Sequence, residues 1–275
     1  MAMAAPATIP PTICLLGATG KTGRVVLRLL LAKDLYNLKI YARSKARLVD
    51  IFPDITSNPR VQLYIGPVTD MSLMEKCLSG SRIIIFALGN NDFAPTTVLR
   101  ESAYSIVAAL NAFRLRGDTW QKPRMIYLSS ASENKRFIED RPKLVHWLIE
   151  TAFQNGYDDL KAAQRTILAD PSLVSVLLVQ PGVLIEEEGT GCEISSESVK
   201  LACSYEDLGA AFVELALNGG YEKLNEVGVS SQLGDRAIRY APIIFSRISM
   251  GLFVCYFPGG VAIREALQRI FPWIS

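Results

Sequence analysis

The chain contains a single histidine, His146, among its 275 residues. This scarcity argues against histidine-rich metal chemistry, and a Ser-His-Asp triad would have to use this one residue. His146 lies in the apolar stretch KLVHWLIE, so we expect it to pack or cap within a helix rather than to catalyse. The 5 cysteines lack CxxC spacing, which is typical of reduced, mostly buried thiols in the cytosol and not of a disulfide framework or a zinc site.

The chain also lacks a large excess of either charge and lacks long apolar runs. Lys and Arg total 29 against 27 Asp and Glu, with no basic stripe, which argues against a nucleic-acid partner. No segment supplies the roughly 20 uncharged apolar residues that cross a bilayer; the nearest, Ile248 to Phe257, is too short. The N-terminal residues 1–11, MAMAAPATIPP, lack a basic region and a long apolar core and predict a disordered tail rather than a signal peptide. We expect a cytoplasmic protein.

Strand and helix patterns alternate through the first two thirds of the chain. The apolar run RIIIFAL is typical of a strand that is covered on both faces. Repeated β-α units of this kind predict an α/β fold, a Rossmann-type doubly wound parallel sheet with helices on both faces. The predicted strands are Thr12–Leu16, Leu38–Ala42, Arg60–Ile65, Arg82–Leu88, Arg124–Ser129 and Val174–Val179.

The periodicity weakens after Gln180-Pro181-Gly182, where EEEGTG, LNGGY and FPGG interrupt it. We predict that residues 12–182 form the doubly wound domain and that residues 183–275 form a small C-terminal substrate-binding or lid region packed on it. Within that region a helix is expected at Tyr205–Leu217, with Ser204 as its N-cap. The region should lie across the carboxyl ends of the strands, where open α/β sheets bind ligands.

Three glycines spaced three apart lie between the first predicted strand and the helix after it, in CLLGATGKTGRVV. Gly17 would allow a tight turn, Gly20 would let the backbone approach a pyrophosphate, and Gly23 would let the helix pack on the sheet. Helix N–H groups, with the hydroxyls of Thr19 and Thr22, would add donors for phosphates. A turn without a ligand is the less favoured alternative, because strand, helix and next strand all stand in the required places.

The end of the second strand indicates which dinucleotide is bound. An Asp or Glu about 20 residues after the last glycine would bind a ribose hydroxyl and favour NAD. This chain has Arg43 there, followed by Ser44, Lys45 and Arg47. Clustered cations suit a 2′-phosphate through charge-assisted hydrogen bonds, so we expect NADP(H). Lys45 or Arg47 can alternatively belong to a solvated face.

Tyr157 and Lys161 open the helix that follows the fifth predicted strand. Residues four apart share one helix face, and a lysine ammonium beside a phenol stabilises the phenolate, so the tyrosine can give or take a proton. The lysine can also hold ribose hydroxyls. The preceding LSSASENK supplies hydroxyls, of which Ser130 or Ser132 can bind the reacting oxygen. A surface tyrosine and lysine are the alternative, because Tyr-x-x-x-Lys is a common pattern.

Asn90, Asn91 and Asp92 follow the fourth strand and are candidate substrate residues. Their amides can orient a carbonyl, and Asp92 can act as a base if desolvated; an Asx turn is equally compatible with them. Glu186-Glu187-Glu188 is more typical of a solvated loop than of an acid/base cluster. The apolar C-terminal third can wall a pocket for a rigid aromatic or polyketide-like substrate, form an oligomer face, or touch a membrane surface.

GATGKTG, the Arg43 position, ALGNN, LSSAS, the Tyr-x-x-x-Lys helix and VQPGVL together resemble the short-chain dehydrogenase/reductase superfamily in its atypical, NmrA-like branch, over about residues 12–217. The closing FPWI, Phe271–Ile274, resembles the ends of fungal NAD(P)-binding proteins linked to secondary metabolism. The resemblance implies bound NADP(H), with Ala87, Leu88 and Gly89 beside the nicotinamide ribose. It also implies that Pro181, Gly182 and Val183 contact the carboxamide.

This branch includes reductases, dehydratase-like or isomerase-like enzymes, pericyclases and redox sensors. The loop and the ALGNN stretch depart from the TGxxxGxG and NAG patterns of compact reductases, which leaves the reaction open, whereas the Tyr-Lys pair disfavours pure sensing. We expect an NADP(H)-dependent ketone or quinone reductase or alcohol dehydrogenase, acting on a mid-sized secondary metabolite, with a homodimer as one option. A non-redox isomerase, dehydratase or cyclase, or an NADP redox sensor, are the alternatives.

The predicted site residues fall into three sets. The catalytic set is Tyr157, Lys161 and Ser130, and the substrate set is Asn90, Asn91, Asp92 and Tyr157. The cofactor set is Gly17, Thr19, Gly20, Lys21, Thr22, Gly23, Arg43, Ser44, Ala87, Leu88, Gly89, Ser129, Lys161, Pro181, Gly182 and Val183. No metal ligands are predicted.

Overall fold

Strands and helices alternate along residues 11–89, 93–117 and 121–270, which are the residues that the computed structural model describes. The strands are β1 (Thr12–Leu16), β2 (Asn37–Ala42), β3 (Val61–Ile65), β4 (Ile83–Phe86), β5 (Arg124–Leu128), β6 (Ser175–Pro181), β7 (Val183–Ile185), β8 (Cys192–Ser195), β9 (Ala202–Ser204) and β10 (Glu226–Ser231). The helices are α1 (Lys21–Leu31), α2 (Lys45–Ile51), α3 (Met71–Leu78), α4 (Val98–Arg116), α5 (Lys135–Ile138), α6 (Lys143–Ala152), α7 (Gln154–Leu168), α8 (Tyr205–Leu217), α9 (Ala237–Tyr256) and α10 (Gly260–Ile270).

The central sheet has 8 strands in the order β3-β2-β1-β4-β5-β6-β10-β8, and its pairs are parallel except β10 with β8. Successive residues of β1 enter opposite cores: Ile13 and Leu15 pack on one face of the sheet, Cys14 and Leu16 on the other. Helices cover both faces, so the strand is apolar throughout rather than alternating. The predicted Rossmann-type α/β fold is confirmed.

The sheet extends beyond the boundary that was predicted at residue 182. β10 joins the edge of β6 in parallel, and β8 adds an antiparallel strand outside it. The sequence of β10, EVGVSS, ends in two serines that are buried, which conceals the apolar pattern of a strand. The Ser231 hydroxyl donates to Asp207 and accepts from the Ser204 amide, so burial leaves it hydrogen-bonded. Residues after 182 therefore build part of the central sheet, and the predicted substrate-binding or lid role of this region stays a prediction.

Helix α9 lies where the C-terminal region was expected, at the carboxyl ends of the strands. Its segment Ile238–Tyr256 has the length and mean hydropathy, 1.3, of a membrane-crossing helix, and 17% of that window is buried. Arg247 interrupts it and donates from Nη1 to the Leu184 carbonyl at 2.8 Å. This bond attaches the middle of α9 to β7, beside the end of β6.

A buried carboxylate joins α7 to the start of α4. Asp159 on α7, whose side chain is 0% exposed, accepts from the Leu99 amide at 2.9 Å and from the Arg100 amide and Nε at 3.1 Å. The first N–H groups of a helix lack intrahelical partners, and the helix dipole favours a negative charge beside them. Asp159 therefore fixes the position of α7 relative to α4.

Asp158, the neighbouring carboxylate on the exposed face, gives a matched comparison. We predict that Asp159→Asn lowers the free energy of unfolding by about 1–3 kcal/mol, because charge-assisted bonds to the start of α4 are weakened. Asp158→Asn should change it by less than about 0.5 kcal/mol. Urea denaturation followed by circular dichroism measures both, and equal effects of the two substitutions would contradict the assigned role.

Candidate functional site

Two cavities meet at the carboxyl ends of the strands, and they share Leu88, Gly89 and Leu99 as a common wall. The first, which we name the loop cavity, has a volume of about 450 Å³ and is lined by the glycine loop and by the ends of β2 and β4. The second, the serine cavity, has a volume of about 210 Å³ and is lined by the turn after β5, by α7, by the end of β6 and by α9. One elongated ligand can therefore contact both.

The glycine loop is shaped by close backbone contacts. Gly17 has φ +92°, and a Cβ there would lie 2.6 Å from the Ala87 carbonyl oxygen. A Cβ on Gly23 would lie 2.0 Å from the Gly17 carbonyl oxygen, so Gly23 lets α1 approach the loop itself. Gly20 lines the loop cavity and makes no side-chain cap, which leaves the first N–H groups of α1 without a side-chain acceptor. Such a helix start attracts anions.

The structure brings part of the predicted cofactor set to the loop cavity. Gly17, Thr19, Gly20, Arg43, Ala87, Leu88 and Gly89 line it. Lys21 instead pairs with Glu186 and lies over the Tyr205 ring at 5.5 Å, while Thr22 is buried and does not line the cavity. Sequence spacing could not distinguish these residues, because Lys21 and Thr22 directly follow Gly20 in the chain.

The cationic residues after β2 differ in whether they line the loop cavity, which the sequence left open. Arg43 and Arg47 line the loop cavity, whereas Lys45 does not. The Ser44 hydroxyl accepts from the Arg47 amide at 3.2 Å and so caps α2 rather than lining the cavity. Within residues 11–89, 93–117 and 121–270, no carboxylate forms an ion pair with Arg43 or Arg47.

The serine cavity contains a pair of hydroxyls. Ser130 Oγ lies 3.2 Å from the Tyr157 hydroxyl, and both residues line the cavity. Ser132 Oγ instead accepts from Arg141 Nη1 at 3.1 Å, and Ser129 Oγ accepts from Gln164 Nε2 at 2.6 Å. Of the two serines that the sequence offered as partners of the reacting oxygen, Ser130 is therefore the one beside the tyrosine.

Lys161 lies beside Tyr157 but not at either cavity. Its Nζ is 5.9 Å from the centre of the Tyr157 ring, 3.3 Å from a Glu150 oxygen and 3.5 Å from a Glu133 oxygen. Burial lowers the pKa of Lys161, but the two carboxylates outweigh burial and the pKa is raised overall. No sequence spacing indicated these two ion pairs, and the contact of Lys161 with ribose hydroxyls stays a prediction.

The remaining predicted residues occupy other surroundings. Pro181, Gly182 and Val183 line the serine cavity with Ser129. His146 is 23% exposed and lies 3.4 Å from Glu150, its neighbour one turn along α6, so it packs within a helix as expected. The glutamate run after β7 forms ion pairs, Glu186 with Lys21 and Glu187 with Arg239. Asn90, Asn91, Asp92 and the FPWI segment lie outside the described residues.

The part of the chain that the structure describes contains no group of three or more His, Cys, Asp or Glu side chains able to hold a metal ion. The polar groups at the two cavities are instead hydroxyls, guanidinium groups and backbone amides. Such groups bind anionic and hydroxyl-bearing ligands and can transfer a proton through a phenol.

Comparison with known proteins gives a consistent family. Residues 17–218 match the model of a family described as NAD(P)H-binding. An oxidoreductase of Emericella nidulans, stcQ, is 32% identical over 211 residues, 75% of this chain and 77% of the relative. Oxidoreductase GME11367 of Pestalotiopsis microspora is 31% identical over 251 residues, 90% and 95% of the two chains. Averufin oxidase A of Aspergillus flavus is 34% identical over 218 residues, 74% and 77%.

Solved structures agree on the fold. A short-chain dehydrogenase/reductase from Veillonella parvula in complex with NADP superposes with a TM-score of 0.65 at 19% identity, covering 82% of this chain and 97% of the other. The anaerobillin reductase ChuY of Escherichia coli superposes with a TM-score of 0.59 at 18% identity, covering 81% and 98%. At such low identity the likeness concerns the fold alone.

The contact of Gly17 with β4 can be tested against Gly80, which also has a positive φ but has no atom within 4 Å of an added Cβ. We predict that Gly80→Ala costs about 1–2 kcal/mol of unfolding free energy through backbone strain alone. Gly17→Ala should cost about 2–5 kcal/mol, because overlap with the Ala87 carbonyl adds to the strain. Chemical denaturation measures both, and equal losses would mean that the contact with β4 is unimportant.

Proposed function

The chain belongs to the NAD(P)H-binding family, and from this premise we propose that it is an NADP(H)-dependent oxidoreductase that interconverts a carbonyl and an alcohol on a mid-sized secondary metabolite. The observation that carries the proposal is the Ser130–Tyr157 hydroxyl pair, 3.2 Å apart, in a cavity that adjoins the loop cavity. Relatives named as oxidoreductases at 31–32% identity support the reaction class. An averufin oxidase among the relatives supports the substrate class.

The loop cavity suits an NADP(H) molecule in its shape and in its charge. The start of α1, which has no side-chain cap, and the backbone of Gly17 and Gly20 in the cavity wall suit a pyrophosphate. Arg43 and Arg47, without carboxylate partners among the described residues, suit a 2′-phosphate. NAD(H) carries no such phosphate, so the two guanidinium groups favour NADP(H).

The residues of the serine cavity would transfer the proton of the reaction. When bound, NADPH supplies a hydride for the substrate carbon. The Tyr157 hydroxyl would give its proton to the substrate oxygen, while the Ser130 hydroxyl donates a hydrogen bond to the same oxygen. In the direction of alcohol oxidation Tyr157 would take the proton back.

The charges near Tyr157 suit this role. After proton transfer the phenolate has the ammonium of Lys161 over its ring, 5.9 Å from the ring centre, and the Arg141 guanidinium lines the same cavity. Glu133 and Glu150 raise the pKa of Lys161 against the effect of burial, which favours its charged form. Lys161 acts in this proposal as a positioning residue that stabilises the phenolate without touching the substrate.

We predict that Tyr157→Phe lowers the rate of NADPH-dependent reduction of a panel of quinones and ketones by about 10²–10⁴-fold, the range for loss of a general acid. Binding of NADP⁺, followed by fluorescence titration, should stay unchanged because the tyrosine does not line the loop cavity. Tyr104→Phe, on the exposed face of α4, is the control and should retain full activity.

Full activity of Tyr157→Phe would refute the assigned role of the tyrosine. Product formation with no net change in NADPH would instead identify a non-redox isomerase, dehydratase or cyclase. Affinity for a protein partner that differs between NADP⁺ and NADPH, with no dependence on Tyr157, would identify a sensor.

Arg43 and Lys45 offer a matched test of cofactor choice. We predict that Arg43→Ala weakens NADP⁺ binding by about 10–100-fold, the loss expected for a charge-assisted contact with the 2′-phosphate. Lys45→Ala removes an equal charge outside the cavity and should have little effect. Isothermal titration with NADP⁺ and NAD⁺ measures both; a parallel loss of NAD⁺ affinity would contradict recognition of the 2′-phosphate.

A further inference from the structure

The serine cavity combines apolar walls with positive charge. Ile149, Phe153 and Leu160 are among its apolar walls. Its charged lining residues are two arginines, Arg141 and Arg247, and no described carboxylate lines it. A neutral apolar ligand would need only the walls, so the arginines need a separate explanation.

Arg141 lies half-buried after α5 and, among the described residues, has one hydrogen-bond partner, the Ser132 hydroxyl, which accepts from its Nη1 at 3.1 Å. Burial lowers the pKa of Arg141, and the Tyr157 hydroxyl opposes this effect. No carboxylate raises the pKa of Arg141. Since a guanidinium has five N–H donors, most of its hydrogen-bonding capacity remains for a ligand.

Arg247, the second arginine that lines the serine cavity, has similar surroundings. It is half-buried on α9, and its Nη1 donates to the Leu184 carbonyl at 2.8 Å. On the same helix Arg239, outside the cavity, donates to Glu187 from Nε at 3.0 Å and from Nη2 at 2.8 Å. Among the described residues, Arg239 therefore has a carboxylate partner, whereas Arg247 has none.

Ion pairs are common for arginine elsewhere in the described chain. Seven arginines pair with Asp or Glu, namely Arg28, Arg60, Arg100, Arg114, Arg116, Arg136 and Arg239. Entry of an apolar ligand would remove water from Arg141 and Arg247, and an unpaired charge in such surroundings is unfavourable. A ligand that brings its own anionic group avoids this cost, and the planar guanidinium matches a carboxylate through two parallel hydrogen bonds.

We propose that the serine cavity binds an apolar, ring-bearing molecule that carries a carboxylate, held by Arg141 and Arg247. This inference rests on the proposed function in taking the serine cavity as the substrate site. The two arginines then determine substrate class: they select an aromatic or alicyclic keto or hydroxy acid over its neutral analogue.

The test compares two bicyclic probes, 2-naphthoate and the neutral 2-naphthamide, by isothermal titration of the full chain with and without NADP⁺. The wild type should bind 2-naphthoate about 10–100-fold more tightly than 2-naphthamide. Arg141→Gln and Arg247→Gln should each reduce this preference while leaving 2-naphthamide binding unchanged. Arg239→Gln removes the same charge from the outer part of α9 and should preserve the preference.

Arg141→Lys and Arg247→Lys control for loss of folding in the glutamine variants. They keep the charge and should retain part of the preference for 2-naphthoate. Thermal melting shows whether each variant is folded. The proposal is overturned if the probes bind equally, if neither carboxylate nor amide binds, or if Arg239→Gln acts like the other two substitutions. Tighter binding of 2-naphthol than of 2-naphthoate would also overturn it, in favour of a phenol site.

Titration separates this inference from the proposed function, because it requires no turnover. A carboxylate preference in a protein whose Tyr157→Phe variant keeps full activity would refute the proposed catalysis alone. Loss of activity in Tyr157→Phe without a carboxylate preference in the wild type would refute the substrate class alone.

Discussion

The position of both cavities depends on the hydrogen bonds that Asp159 accepts from the start of α4. Leu99, whose amide it holds at 2.9 Å, belongs to the wall that the two cavities share. Tyr157 lies two residues before Asp159 on the same helix, so the carboxylate that fixes this wall also fixes the distance from the wall to the Tyr157 hydroxyl. A movement of α7 away from α4 would separate the two cavities and disturb the Ser130–Tyr157 pair together.

The electrostatic surroundings of Tyr157 depend on whether carboxylates neutralise its two cationic neighbours, Lys161 and Arg141. Lys161 is shared by Glu133 and Glu150, so much of its field at the phenol is cancelled. Arg141 has no such carboxylate among the described residues; its Nη1 donates to the Ser132 hydroxyl, and it lines the same cavity as Tyr157. In the proposed function the Arg141 guanidinium would also contact the substrate, so the charge of the substrate and the proton transfer would be coupled.

The sequence predicted the strands well because the parallel strands are buried on both faces, and this leaves continuous apolar runs such as that of β4. It also predicted α8 with Ser204 as its cap, since a capping hydroxyl acts over three residues. It could not predict β10, whose two buried serines are hydrogen-bonded, Ser231 to Asp207 of α8 and Ser230 to the Lys200 amide. Nor could it predict the partners of Lys161, because Glu133 and Glu150 come from separate turns of the chain.

The charged side chains of the described residues that line the two cavities are all arginines. The chain as a whole is almost neutral, with a net charge of +2, so it has no strong overall field. Arg43 and Arg47 in the loop cavity, with Arg141 and Arg247 in the serine cavity, nevertheless place four cations without described carboxylate partners along one continuous groove. A ligand pair with phosphates at one end and a carboxylate at the other would neutralise all four. A nucleotide sensor would need only the first pair, so the second pair is the feature that argues for a substrate.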